Sequence, residues 1–128
     1  MKTLEFRLFD KESNIYVQDY FEFYIGCDGD IYKLEETGGF YLTEELNHVS
    51  HLVILEQFTG AKDKNGVNIF EGDFLLNDRD GIYIIEWDGV ELCWHGTNPK
   101  TGDIEYLYNL AEWSKVIGNI NQNEELLQ

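Results

Sequence analysis

Apolar and polar positions alternate with period two from Leu4 to Asp10, placing Leu4, Phe6 and Leu8 on one face and Glu5, Arg7 and Phe9 on the other. Side chains of an extended chain point alternately to opposite faces, so this spacing predicts a half-buried strand. "KESN" turns the chain. "IYVQDYFEFYIG" (Ile15 to Gly26) is then rich in aromatic and β-branched residues, which suit a pleated surface. Asp28-Gly29 marks a turn, "IYKLEE" a short strand and Gly38-Gly39 a break, so the first part reads as a β-meander. Thr43 to Gln57 fits a helix, with Thr43 as cap, Glu44 and Glu45 at the positive end of the dipole, and Leu46, Val49 and Leu52 or Val53 as an apolar stripe. "HLVILEQF" fits a buried strand equally well. The expectation is a helical turn over 43–47 and a strand from about His51 to Phe58.

Beyond Gly60 the punctuation is clearer. "AKDKNGVNIF" contains Asn65-Gly66, a hairpin signal of the type I′ kind, and Gly72 interrupts "IFEGDFLL" as a bulge would. "GIYIIEWDG", "VELCWHG", "IEYLYNL" and "SKVIGNI" are further strands, with Asp88-Gly89 and "TNPKTGD" as turns. Five short strands at roughly 8 to 12-residue spacing indicate a small barrel or sandwich. "NQNEELLQ" is a polar tail that frays or forms a terminal helical turn. The fold class expected is mainly β: an N-terminal β-rich (α+β) region, 1–56, then a small β-barrel, 57–128, either as two parts or as one compact unit.

Composition narrows the function. The chain has 128 residues and a formal charge of -16, from 25 acidic against 9 basic side chains, with no basic run beyond Lys62 and Lys64. Phosphate backbones and anionic membranes are attracted by clustered Lys and Arg, so direct binding to nucleic acid or membrane is disfavoured. The acids are spread along the chain, which suits a solubilising surface more than an acidic tail; a face that attracts a basic partner is the other reading. Cys27 and Cys93 fit no paired-cysteine motif, the N-terminus lacks a signal-peptide core, and no stretch approaches the ~20 apolar residues of a membrane span. A cytoplasmic protein with reduced thiols is expected.

"QFTGAKDKNGVNIFEGDFL", "IIEWDG" and the terminal "VIGNINQNEELL" together resemble the YopX family of phage and prophage proteins. "EFRLFDKESN" resembles that family's opening strand and turn. The stretch from Gln18 to His51 matches poorly. Ala61 stands where the family usually has Leu after Thr-Gly, and Phe70 where it usually has Tyr. The resemblance implies a phage-encoded protein in a bacterial host cell, a mostly β architecture and an SH3-like barrel in the second half. It implies no biochemical activity. On that basis Thr59, Gly60, Asp63, Asn65, Gly66, Glu71, Gly72, Asp73, Gly118 and Asn119 are read as structural turn and motif positions, with Asp73 and Glu71 bonded to adjacent turns; a ligand contact by this stretch is the alternative.

Catalytic, cofactor and metal sites are all expected to be absent. Calcium-loop templates fail: starting at Asp63 puts Asn68 in the glycine place and Phe74 in the bidentate acid place, and starting at Asp78 puts Tyr83 in the glycine place. His48 and His51, with Glu45, form at most half a metal site. Cys93 and His95 share a strand face, a nucleophilic pair without an orienting third group. Tyr20, Phe21, Phe23, Tyr24, Trp87 and Trp94 are candidate interface residues, since aromatics in excess of a small core mark association surfaces. The expected function is a non-enzymatic protein-binding or self-assembling module, a homo-oligomer or the partner of a host or phage protein. The alternative is an acidic decoy, a DNA mimic that occupies a basic host protein.

Overall fold

A computed structural model describes residues 4–18, 22–37 and 43–128. The chain is mainly β with one short helix and a curled half-barrel sheet. Its contacts divide it into two units: a larger one of Met1–Arg7 and Glu56–Gln128, and an inserted one of Leu8–Leu55. Strands β1 (Phe6–Asp10) and β6 (Val53–Lys62) each contribute residues to both.

In the inserted unit, β2 (Ile15–Tyr16) pairs antiparallel with β1, Phe9 opposite Tyr16. Asp10 shapes the intervening turn by accepting the Glu12 amide at 2.9 Å. A second sheet joins β3 (Phe23–Ile25), β4 (Ile31–Thr37) and β5 (Thr43–His48). The run from Ile15 to Gly26 is therefore two short strands, not one; Tyr20 and Phe21 lie outside the described residues. Thr43 to Asn47 is strand, against the expected helical turn. Six backbone positions pair with β4, from Tyr32 opposite His48 to Thr37 opposite Thr43, and an isolated turn of helix has no comparable means of satisfying its backbone. Leu46, assigned to an apolar helical stripe, is instead exposed. Leu8, Ile31, Val49 and Val53 form the apolar cluster of this unit.

In the larger unit, β6 pairs with β7 (Asn68–Phe70). A five-stranded sheet runs in the order β11 (Ile104–Tyr106), β10 (Cys93–Thr97), β9 (Gly81–Asp88), β8 (Asp73–Asn77), β12 (Ser114–Asn119). The strand expected over Ile104–Leu110 stops at Tyr106 and continues as helix α1 (Leu107–Leu110) and a 3₁₀ turn, Ala111–Trp113. The reason is the core: Leu107, Leu110 and Ala111 recur at helical spacing and are buried with Ile69, Leu75, Tyr83 and Ile85. Gly96 permits this packing, since a Cβ there would meet Leu110 Cδ1 at 2.7 Å and Tyr83 Cβ at 2.9 Å. The tail forms a 3₁₀ turn, Glu124–Leu127.

Candidate functional site

The motif between Gln57 and Leu75 is bound up with the backbone around it. The Thr59 hydroxyl donates to the Ile69 carbonyl at 2.7 Å and accepts from the Ala61 amide. Asp63 is buried and accepts three amides: Asn65 and Val67 on Oδ1, and Val116 on Oδ2 at 2.9 Å. Burial alone would raise its pKa, but these bonds stabilise the carboxylate and hold the pKa below the usual range. The turn is not type I′, because Gly66 has φ 81° and Asn65 is not among the residues with positive φ. The Gly66 amide donates to the Asp63 carbonyl at 3.0 Å, so Asp63 opens the turn and a left-handed glycine ends it. Gly60 is likewise left-handed, φ 90°.

Gly72 sits between β7 and β8 at φ 84°, where the chain passes from one sheet to the other, and is not a bulge within a strand. A Cβ there would collide with Glu56 Oε2. Around it lies an ionic cluster. Arg7 donates from Nε to Glu56 at 2.9 Å and from Nη2 to Asp73 Oδ1 at 2.6 Å, and its guanidinium lies 4.8 Å from the centre of the Phe70 ring. Asp73 Oδ2 accepts the Phe70 amide, and Asn121 donates to Glu56. Burial pushes the Asp73 carboxyl up, against the pull of Arg7. Glu71 accepts from Arg7 through its carbonyl, and burial raises its carboxyl as well. At the chain's end the Asn119 side chain accepts the Asn121 and Gln122 amides, and a Cβ on Gly118 would strike Asn123 at 2.6 Å.

The sequence reading missed Arg7, Glu56 and Asn121. Arg7 was assigned to the polar face of a strand; its partners are 49 and 66 residues away, and no local pattern announces them.

The other candidates are scattered. His48 lies 3.2 Å from Asp30 and its ring stacks on His51 at 6.1 Å. Among the described residues no group of three or more His, Cys, Asp or Glu is arranged to hold a metal, and no helix is long and apolar enough to cross a membrane. His95 stands between Asp88 at 3.3 Å and Glu86 at 3.7 Å. Burial, with Glu91 and Asp88, pushes the Cys93 thiol up, the opposite of what an activated nucleophile requires. The Tyr106 hydroxyl donates to Glu91 at 2.6 Å and its pKa is pushed up to about 12.

Of the interface candidates, Phe23 packs in the inserted core with Lys33 over its ring, whereas Tyr24 is exposed. Trp87 and Trp94 face one another across β9 and β10, edge to face at 5.2 Å, with Trp94 resting partly on the core. The turn between those strands carries Val90, 91% exposed, and Leu92, 70% exposed at φ 57°. Asp88 braces it by accepting the Val90 and Glu91 amides.

These features define a class of small β proteins in which buried polar side chains brace a five-stranded sheet and an apolar hairpin tip stands exposed. The model of the YopX protein family matches residues 5–128, and the chain belongs to that family. Among solved structures it is similar to protein EF1440 from Enterococcus faecalis, with 25% identity and a TM-score of 0.60, all of both chains being covered. It also shares its fold with protein YopX from Bacillus subtilis, with 22% identity and a TM-score of 0.57, again over both whole chains. A comparison with curated proteins found no match.

Proposed function

We propose that the protein is a non-enzymatic, phage- or prophage-encoded accessory module of the bacterial cytoplasm that binds protein, a second copy of itself first of all. In this reading the curled sheet of the larger unit serves as an SH3-like barrel scaffold, and the motif residues of Gln57 to Leu75 serve that scaffold. The observation that carries the proposal is the β9–β10 hairpin tip, where Val90 and Leu92 stand exposed beside the Trp87–Trp94 pair on a braced turn. Large apolar side chains held rigidly in water at one end of a sheet supply the desolvated anchors that interfaces use. One further observation favours binding over catalysis, the raised Cys93 thiol.

Sedimentation velocity at micromolar concentration tests it. The chain is expected to run as an oligomer, and Val90→Glu, which alters an exposed residue, as a monomer. Wild type running as a monomer and retaining no protein partner from host lysate would overturn the reading. The formal charge of -16 favours a second reading, an acidic decoy on a basic host nucleic-acid-binding protein. Elution in rising salt separates the two, because a charge-driven complex dissociates early and an apolar one persists.

A further inference from the structure

Strand β5 ends the three-stranded sheet of the inserted unit, and its pairing with β4 leaves one backbone edge open. The phase of the ladder fixes which groups face outward. Val49 donates its amide to the Ile31 carbonyl at 2.8 Å, and Leu34 donates to the Glu22 carbonyl at 2.7 Å on the other side of β4. Hydrogen-bonded and non-hydrogen-bonded pairs alternate along an antiparallel ladder, so Asn47, Glu45 and Thr43 turn their amides and carbonyls toward β4, and Glu44, Leu46 and His48 turn theirs away from it. We infer that this edge pairs antiparallel with the same edge of a second copy, Leu46 opposite Leu46 on the two-fold axis and Glu44 opposite His48.

An open edge alone would be only a hazard, but β5 differs from the other edges of the fold. Among the described residues, β2, β3, β7 and β11 each end a sheet with two or three residues. β12 is as long as β5, yet its outer edge is engaged: Val116 donates to Asp63, Lys64 donates to the Ser114 carbonyl at 3.0 Å, and Ile120 donates to the Gly72 carbonyl at 2.9 Å. β5 has six residues in unbroken register with β4 and carries no proline, bulge or lysine, the devices that commonly blunt an edge. Among the described residues no strand lies on its outer side.

The sequence of β5 complements itself in one register. Pairing Glu44 with His48, Glu45 with Asn47 and Leu46 with Leu46 engages every outward-facing residue, and no two acidic residues are directly opposed. Registers of the required phase differ by two residues. A slip one way sets Glu45 opposite Glu45, and like charges directly opposite are unfavourable; a slip the other way leaves Glu44 without a partner in the strand. Leu34 stands opposite Leu46 in the β4–β5 ladder, so the two-fold axis aligns Leu34 and Leu46 of both copies in one row across the joined sheets. Leu46 is 59% exposed in the protomer, and that row covers it. A contact of this kind uses the same edge on both copies and therefore closes at a dimer.

The inference deepens the self-binding reading and rests on it for the choice of partner, but concerns a surface other than the hairpin tip. So short a contact falls below the size of a standard interface, and a dissociation constant of about 0.1 mM is expected. Amide hydrogen exchange on the intact ¹⁵N-labelled chain reads it. Between about 10 μM and about 1 mM protein, exchange at Glu44, Leu46 and His48 is expected to slow roughly fivefold by mass action, while Glu45 and Asn47, already bonded to β4, stay as they are. Leu46→Lys sets like charges on the axis and is expected to weaken pairing about tenfold. Cross-linking in a Cys27→Ser, Cys93→Ser background checks the register. Leu46→Cys is expected to oxidise to a disulfide dimer, because directly opposed Cα atoms lie about 5.5 Å apart, and Glu45→Cys is not, because its diagonal counterpart lies about 7–8 Å away. Unchanged exchange at 44, 46 and 48, slowing of all β5 amides alike, or equal cross-linking at 45 and 46 would overturn the inference. Val90→Glu is expected to keep the slowed exchange at the higher concentration, so the edge and the hairpin tip succeed or fail separately. Assemblies larger than a dimer in that variant would overturn the two-fold pairing.

Discussion

The two units are built by different means. In the larger unit Glu56, Asp63, Asp73, Asn77, Asn98, Ser114 and Asn119 are buried, and most accept backbone amides at turns or bridge between strands. In the inserted unit the buried residues described are apolar, Leu8, Phe9, Ile31, Val49 and Val53, and the ladder of β4 with β5 supplies the regular structure. A buried polar group is tolerated only where its partners are in place, so each one in the larger unit specifies a local geometry. An apolar cluster and a ladder accept many sequences. The family model spans both units, matching residues 5–128, so the poor match expected between Gln18 and His51 does not remove that stretch from the family.

That contrast can be broken most severely at Arg7. Arg7→Met removes the cation shared by Glu56 and Asp73 and is expected to lower the unfolding free energy by about 3–5 kcal/mol, measured by urea denaturation, because two buried carboxylates then lose their shared counter-charge. Ile31→Ala, the corresponding deletion in the inserted core, should cost about 2–4 kcal/mol. Hydrogen exchange should locate its effect on amides of Leu8–Leu55; an equal loss of protection throughout would argue that the units unfold as one.

Asp63→Asn replaces one acceptor oxygen by a donor among three amides, for about 1–3 kcal/mol. It also sharpens the electrostatic side. The Asp63 carboxyl lies below its ordinary value of 3.8, so its contribution is present above that pH and lost as pH falls through the folded-state value. Asp73 is raised above 3.8; its contribution is present at low pH and lost as pH rises through the raised value. Asp63→Asn should therefore flatten the acid loss of stability, and Asp73→Asn the opposing change just above 3.8. Identical pH profiles in both variants and wild type would discount both carboxyls as linked groups. Smallest of all is Leu46→Ala, in the exposed face of β5, expected within about 0.5 kcal/mol by the same denaturation.

Much of the larger unit was legible residue by residue. Gly66 and Gly60 announce left-handed positions, Asp63 announces a turn three residues ahead of Gly66, and β9 was read from "GIYIIEWDG", one residue past its observed end at Asp88. Where reading failed, two patterns competed. Thr43 to His48 carried helix-start residues yet pairs with β4, because β4 stood ready to satisfy its backbone. Leu107 to Leu110 carried strand residues yet coils, because that spacing brings both leucines to the core.

By itself the sequence determined the β character, the turns, the acidic charge and the family, since each depends on neighbours within a few residues or on composition. Only the tertiary structure decided that Arg7 meets Glu56 and Asp73, that Asn77 meets Ser114 across β8 and β12, and that Trp87 and Trp94 share a face. Those contacts join residues brought together by strand pairing and sheet order, which a local window does not encode.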